Sequence, residues 1–133
     1  MVDSAPPCRG DLILLVEDDA GIRDALCELL ADSGYSPAAA ADGHEAIRLL
    51  EGDGRAPCVV LLDLMMPGMN GWEFRRWLST RPELSGVPVV LLSAHANLSA
   101  EARALDVAAF LRKPIDVNRM LDTVASFCPP SAA

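Results

Sequence analysis

The fold of this chain is decided by the stretch Cys58-Val59-Val60-Leu61-Leu62-Asp63-Leu64-Met65-Met66-Pro67-Gly68-Met69-Asn70-Gly71. Its apolar run leads into a single aspartate, Asp63, and the Pro-Gly and Asn-Gly pairs after it interrupt regular structure. A short apolar run bounded by turn signals predicts a strand buried on both faces of a parallel sheet, here over 58–62. Asp63 then lies at the strand end, where open parallel sheets bind ligands. A carboxylate there can be a nucleophile, a metal ligand or a helix cap, and the other strands decide among these roles.

Further apolar segments predict four more strands, and a helical pattern follows each of the five. The predicted strands cover 12–16, 36–41, 58–62, 87–92 and 108–112. Helical crossovers between consecutive strands require parallel pairing. We therefore predict an α/β fold, a doubly wound, flavodoxin-like sheet of five parallel strands in the order 2-1-3-4-5 with helices on both faces. Pro37 supports this order, because proline cannot donate to a strand ladder and belongs on an edge strand.

Capping residues and glycines predict where the helices begin and end. Asp18 or Asp19 is expected to cap the first helix, which ends near Gly34. Later caps are expected at Asp42 with Glu45, at Asn70 with Glu73, and at Asp116. Gly52 and Gly54 are expected to end the second helix, and the fourth helix is expected over roughly 99–105. The last helix should bury the stripe Val117, Met120, Leu121, Val124, Ala125 and Cys128.

Length and composition indicate one acidic domain. The chain has 133 residues, of which 51% are hydrophobic, and a net charge of −8. We expect a flexible leader over 1–10, a domain over 11–128 and a tail over 129–133. No apolar run approaches the roughly 20 residues needed to cross a bilayer, and the N-terminus lacks a signal-peptide core. The charge argues against a nucleic-acid groove, so we expect a cytoplasmic protein with neither nucleic-acid nor membrane partners.

The cysteines indicate a reduced protein. Cys8, Cys27, Cys58 and Cys128 lie far apart in sequence, without a Cys-x-x-Cys pair. Cys27 and Cys58 fall inside apolar patterns, where a small buried thiol is the simplest interpretation. We therefore expect free cysteines and no zinc site.

Polar residues follow four of the predicted strands. Glu17 and Asp18 follow the first strand, Asp63 the third, Ser93 the fourth and Lys113 the fifth. In the predicted order the first and third strands are neighbours, so three carboxylates should crowd together and repel unless a cation compensates. A divalent ion with oxygen ligands, such as Mg²⁺, fits that requirement. The set as a whole suits an aspartyl phosphate, with a carboxylate nucleophile, a metal, an ammonium and a hydroxyl.

Taken singly, each of these residues has a plainer structural interpretation. Acidic residues after a strand often cap the next helix, a serine there is usually a turn residue, and a lysine before proline is usually solvated. Their joint arrival at the ends of four strands favours a functional site.

The chain resembles the receiver domain of two-component response regulators over roughly residues 12–128. The matching motifs are Val16-Glu17-Asp18, the run Asp63-Leu64-Met65-Met66-Pro67-Gly68-Met69-Asn70-Gly71, Ser93-Ala94-His95, and Lys113-Pro114. The resemblance implies a single-domain, chemotaxis-regulator-like signalling protein rather than an enzyme. It implies phosphotransfer from a histidine kinase or phosphotransfer protein to Asp63, with Mg²⁺ as cofactor, and a protein partner downstream.

The resemblance also implies a role for each residue of the site. Asp63 would be the phosphoacceptor and a metal ligand, and Asp18 a direct ligand. Glu17 would bind the metal through water, and Met65 through its backbone carbonyl. Lys113 would bind the phosphoryl group, with a cis peptide bond before Pro114. Ser93 and Phe110 would form the conformational switch, and Met65 and His95 would tune dephosphorylation. The output surface would comprise the fourth helix, the fifth strand and the last helix.

Two departures from the family pattern and three alternatives stand beside this interpretation. The interval from Ser93 to Lys113 is about two residues short, and Val107-Ala108 replaces the usual Gly-Ala, so the fourth helix should be short or displaced. A phosphatase working through an aspartyl phosphate would need a second aspartate where Met65 stands. A phosphorylation-independent adaptor would have lost a site residue, and none is lost. The chain can also be a receiver fragment of a longer regulator or hybrid kinase.

Overall fold

A parallel sheet with helices on both faces organises the residues that this computed structural model describes, namely 12–53, 56–63, 71–94 and 107–128. The strands are β1 (Leu12–Val16), β2 (Ser36–Ala40), β3 (Val59–Asp63), β4 (Val89–Ser93) and β5 (Ala109–Arg112). The helices in these ranges are α1 (Ala20–Asp32), α2 (Gly43–Asp53), α3 (Gly71–Ser79) and α4 (Val117–Phe127). The strand order β2-β1-β3-β4-β5, all parallel, confirms the predicted topology.

The burial of the strands explains why the apolar runs were informative. The inner strands β1, β3 and β4 are buried at every position, whereas the edge strands β2 and β5 are only partly buried. Pro37 lies on the edge strand β2, as predicted. Strands covered on both faces need continuous apolar sequence, so only the edge strands can carry small or polar residues.

The core consists of two layers, one on each face of the sheet. One layer includes Leu50 of α2 and Phe74 of α3. The other includes Leu30 of α1 and Met120 of α4. Burying each such side chain contributes about 1.5–3 kcal/mol, so both layers hold the sheet and fix the carboxyl ends of its strands.

Aspartate caps begin the helices where the sequence predicts them. Asp19 Oδ1 accepts a hydrogen bond from Ile22 N (2.9 Å) at the start of α1. Asp42 Oδ1 accepts from Glu45 N (2.9 Å) at α2, and Asp116 caps α4 in the same manner. Because Asp19 caps α1, the neighbouring Asp18 side chain is left for another role.

Several sequence-based boundaries and one burial expectation are wrong in detail. The second strand ends at Ala40, the fourth runs from Val89 to Ser93, and the fifth begins at Ala109. The third strand runs from Val59 to Asp63, so Asp63 is the last strand residue rather than the first residue after it. Gly52 lies inside α2 and does not end it. Val117, the first residue of the last helix, has an exposed side chain, whereas Met120 about one turn later is buried.

The expectation of free cysteines is also wrong, because Cys58 and Cys128 form a disulfide. Their Cα atoms are 5.6 Å apart although 70 positions separate them in sequence. Cys58 directly precedes β3 and Cys128 caps the end of α4, so packing of α4 against the sheet brings the two together. The Tyr35 hydroxyl donates to the Cys128 carbonyl (2.9 Å) and ties the same corner to the start of β2. Cys27 is a free, half-buried thiol.

Several sequence-based predictions fall outside the described residues. They are the leader over 1–10, the Asn70 cap, the fourth helix over 99–105 and the tail over 129–133. Among the residues that are described, no helix combines the length and apolar character that a bilayer crossing requires.

Candidate functional site

Polar side chains gather at one edge of the sheet because four strands end there. Glu17 follows β1, Asp63 ends β3, Ser93 ends β4 and Lys113 follows β5. Lys113 N donates to Ser93 O (2.9 Å), which extends the β4–β5 pairing beyond Arg112. The parallel topology therefore fixes the backbone from which these side chains project.

Three carboxylates form a compact acidic cluster at this edge. One oxygen each of Glu17, Asp18 and Asp63 lies within 4.8 Å of the other two. Glu17 is fully buried and Asp63 is 4% exposed, whereas Asp18 faces solvent. Two of the three carboxylates are thus buried, and the third, Asp18, is exposed to solvent.

Lys113 connects two of these carboxylates. Its Nζ lies 2.8 Å from Glu17 Oε1 and 3.4 Å from Asp63 Oδ2. Burial alone would lower the pKa of Lys113, but the hydrogen bond to Glu17 and the charge of Asp63 together raise it above its usual range. Lys113 therefore stays an ammonium, and its single charge faces more than one carboxylate.

The electrostatics of Asp63 follow from this imbalance. Burial, and next the charge of Glu17, raise the pKa of Asp63 to about 7, although Lys113 acts in the opposite direction. Proximity of Asp18 adds to the rise. A further cation would relieve this repulsion, and a set of carboxylate oxygens suits a hard divalent ion such as Mg²⁺. The donor set therefore fits a magnesium site formed by these residues.

The profile of the response regulator receiver domain family matches residues 13–125. This chain belongs to that family. Receiver domains are signalling modules of two-component systems rather than conventional enzymes, and the five-stranded flavodoxin-like fold described above is theirs.

Relatives and solved structures agree with the receiver assignment. Response regulator MprA of Mycolicibacterium vanbaalenii is 38% identical over 112 residues, which cover 82% of this chain and 46% of that protein. The phosphate regulon transcriptional regulatory protein PhoB of Klebsiella pneumoniae is 32% identical over 111 residues, covering 82% and 48%. This receiver domain thus spans about half the length of these relatives. Vibrio cholerae chemotaxis protein CheY4 superposes with a TM-score of 0.80 at 27% identity, covering 89% of this chain and 98% of that one.

The switch pair predicted for this receiver domain occupies two different environments. Ser93 is 2% exposed at the end of β4, whereas Phe110 on the neighbouring β5 is 40% exposed. The Lys113–Pro114 peptide bond is cis, as the family resemblance predicts. Met65 and His95, expected to complete the metal site and to tune dephosphorylation, lie outside the described residues.

Sequence reasoning overlooked one residue beside the acidic cluster of this receiver domain. The Arg23 side chain donates from Nη1 to the carbonyl oxygens of Glu17 (2.9 Å) and Asp18 (3.4 Å). A signal was available in the sequence, since Arg23 is a cation in the first turn of α1, where helix electrostatics disfavour positive charge.

Proposed function

We propose that this receiver domain accepts a phosphoryl group on Asp63 from a phosphohistidine of a sensor kinase or phosphotransfer protein, and passes the signal to a protein partner. The observation that carries the proposal is the position of the Asp63 carboxylate, which closes a cluster of three acids and lies 3.4 Å from the Lys113 ammonium. A buried nucleophile, neighbouring oxygen ligands and a cation are the groups that aspartyl phosphate chemistry requires.

The transfer step uses groups that the described residues supply. An Oδ atom of Asp63 attacks the phosphorus of the donor, the P–N bond breaks, and the imidazole nitrogen keeps the electron pair. Lys113, whose Nζ lies 3.4 Å from Asp63 Oδ2, would stabilise the negative charge of the phosphoryl oxygens. Asp18 and Asp63 would hold Mg²⁺ directly, Glu17 through water, and Met65 through its backbone carbonyl. The bound ion would supply positive charge to the phosphoryl oxygens during transfer.

The conformational signal is proposed to run through Ser93 and Phe110. A phosphoryl group on Asp63 offers a hydrogen-bond acceptor to the Ser93 hydroxyl and draws it inward. Phe110 is exposed here and has room to follow by a change of rotamer. Its movement would alter the surface formed by β5, by the last helix α4 and by the additional helix predicted over 99–105. The affinity of that surface for a partner would change with it. Phosphorylation changes this equilibrium only through its differential interaction with the two conformations.

The proposed output is contact with a protein, and the receiver domain itself is not expected to bind nucleic acid or membranes. A net charge of −8 disfavours a phosphate backbone as the partner of this domain. PhoB is named a transcriptional regulatory protein and is about twice as long as the part matched here, so the role in its name does not conflict with this proposal for the receiver domain. The same proposal covers a receiver extending over 11–128 within a longer regulator or hybrid kinase.

The lifetime of the phosphoryl group is proposed to depend on Met65 and His95. These residues lie two positions after Asp63 and Ser93 in sequence, where the family likeness places the path of the attacking water. Met65 has no group to orient a water and is bulky enough to obstruct one. We therefore propose slow autodephosphorylation, governed more by Met65 than by His95.

Phosphorylation of Asp63 is tested directly with a small phosphoramidate donor and Mg²⁺. Wild type should incorporate alkali-labile phosphate, and Asp63→Asn should fold and incorporate none. Asp122→Asn, on the exposed face of α4, is the matched control and should label at the wild-type rate. Labelling of Asp63→Asn at that rate would exclude Asp63 as the acceptor. Identical partner binding before and after labelling of wild type would favour a phosphorylation-independent adaptor.

A further inference from the structure

Arg23 reaches back from α1 to the turn that carries two of the clustered acids. Its Nη1 donates to Glu17 O at 2.9 Å, a well-formed hydrogen bond, and also lies 3.4 Å from Asp18 O. Both acceptors are main-chain carbonyls. The guanidinium therefore fixes the backbone of Glu17 and Asp18, and these bonds do not involve their carboxylates. The side chain is half-buried, which makes this contact less exposed to competition from water.

Helix electrostatics do not explain why a cation occupies this position. The N-terminus of a helix carries partial positive charge, so an arginine in the first turn is unfavourable there. The Asp19 carboxylate that caps α1 offsets part of this cost, but it accepts from Ile22 N, and the guanidinium of Arg23 turns instead to the carbonyls of Glu17 and Asp18. The hydrogen bonds of Arg23 go to the turn before the helix, and we take these bonds to be the reason for an arginine at this position.

The turn that Arg23 holds determines where two metal-binding oxygens point. Glu17 is secured at its amide, which donates to Ala40 O (3.0 Å), and its Oε2 accepts from Asp19 N (3.2 Å). Asp18 is exposed, so packing does little to fix its direction. A bond to the Glu17 carbonyl fixes the peptide plane that leads into Asp18 and thereby limits the directions its side chain can take.

We propose that Arg23 is a positioning residue for the metal site, holding the turn between β1 and α1 so that Glu17 and Asp18 face Asp63. The inference rests on the magnesium site in the proposed function. It assigns to Arg23 no contact with the metal or with the phosphoryl group.

The sign of the change in Mg²⁺ affinity separates this role from a simple effect of charge. As a cation near the cluster, Arg23 repels Mg²⁺, and removal of its charge alone would tighten metal binding. As an anchor of the turn, Arg23 preorganises the ligands, and its removal would weaken binding. Changes to residues that orient metal ligands typically weaken affinity about 10–100-fold, so we expect the second effect to dominate.

The experiment is a titration of each protein with MgCl2, following the rise in melting temperature to obtain an apparent Kd. Arg23→Met removes the donor and the charge but keeps the aliphatic chain, and we expect its Kd to rise about tenfold or more. Arg119→Met is the matched control, because Arg119 is an exposed arginine in the first turn of α4 and its loss changes the net charge equally. Its Kd should stay close to that of wild type. Arg23→Lys, which keeps a cationic donor, should recover part of the loss.

Each outcome decides between the inference and the function on which it rests. If Arg23→Met binds Mg²⁺ as tightly as wild type or more tightly, the positioning role is wrong while the metal site stands. If wild type shows no response to Mg²⁺, the proposed magnesium site is wrong, and the role of Arg23 is wrong with it. If Arg23→Met does not fold without metal, Arg23→Gln, which is shorter and uncharged, decides, since an unchanged or lower Kd in that variant overturns the proposal.

Discussion

Replacing Asp63 by asparagine should stabilise the metal-free protein at neutral pH. The substitution keeps the size of the side chain and removes a carboxylate that is 4% exposed and close to two other acids. Burial and then the charge of Glu17 raise the pKa of Asp63 from its ordinary value of 3.8 to about 7. The folded protein therefore resists ionisation of Asp63 more strongly than the unfolded chain does, and asparagine avoids that penalty.

The size and the pH window of the effect follow from linkage. Below pH 4 the carboxyl is protonated in both states, and Asp63 contributes no pH-dependent penalty. Between about pH 4 and pH 7 the unfolded chain ionises while the folded protein does not, so the free energy of unfolding falls as pH rises. Above pH 7 both states are ionised and the penalty is constant. A shift of about 3 units at 1.36 kcal/mol each gives roughly 4 kcal/mol.

The assay is urea-induced unfolding of wild type and Asp63→Asn in EDTA at several pH values between 4 and 8. The gap between the two free energies of unfolding should open by about 4 kcal/mol across this range, with Asp63→Asn the more stable at pH 8. Asp122→Asn, at an exposed position, controls for the loss of a negative charge. Mg²⁺ should narrow the gap, because it binds and stabilises folded wild type. A gap that does not change with pH, or a less stable Asp63→Asn at pH 8, would refute the electrostatic reasoning.

Three other perturbations test separate parts of the structure. Lys113→Met should lower the free energy of unfolding by roughly 3–5 kcal/mol, because it leaves the fully buried Glu17 carboxylate without its cationic partner. A loss below 1 kcal/mol would show that another group compensates the charge of Glu17. Cys128→Ser should lower the free energy of unfolding by about 4 kcal/mol, the chain-entropy value for a disulfide spanning 70 positions. Wild type in dithiothreitol should be as stable as this variant. Equal stability of wild type with and without reductant would mean that the cysteines are not joined. Met65→Asn should speed decay of the phosphorylated protein after donor removal, more than His95→Ala does, because the amide can admit and orient water; an unchanged or slower decay would show that water access at this position does not limit the lifetime.

Much of the fold could be predicted from sequence because its signals are local. Continuous apolar runs mark the inner strands, which both core layers cover. Proline at position 37 marks an edge, and aspartates at positions 42 and 116 mark helix starts. Grouping of the acids at one edge followed from strand order alone. Each of these features needs only neighbours in sequence or the general rules of parallel sheets.

The features that sequence reasoning missed depend on how distant elements pack. Pairing of Cys58 with Cys128 requires the end of α4 to reach the start of β3, and no spacing rule encodes that. Val117 has the helical spacing of the buried stripe, and its exposure depends on where the start of α4 lies relative to the core. Arg23 differs from these, since a cation in the first turn of a helix was visible as an anomaly. Its explanation still required the position of the Glu17 carbonyl.

The destabilising electrostatics of Asp63 and the proposed function have one origin. The charge of Glu17 raises the pKa of Asp63, and Lys113, shared between Glu17 and Asp63, offsets only part of that repulsion. A ligand that brings positive charge relieves the remaining repulsion. Across variants of the cluster, tighter Mg²⁺ binding should therefore accompany a lower free energy of unfolding of the metal-free protein. Neutralising the carboxylate with the raised pKa, as in Asp63→Asn, should stabilise the metal-free protein and weaken Mg²⁺ binding at once. That pair of opposite changes would show that the repulsion which destabilises the metal-free protein is also what favours the bound cation.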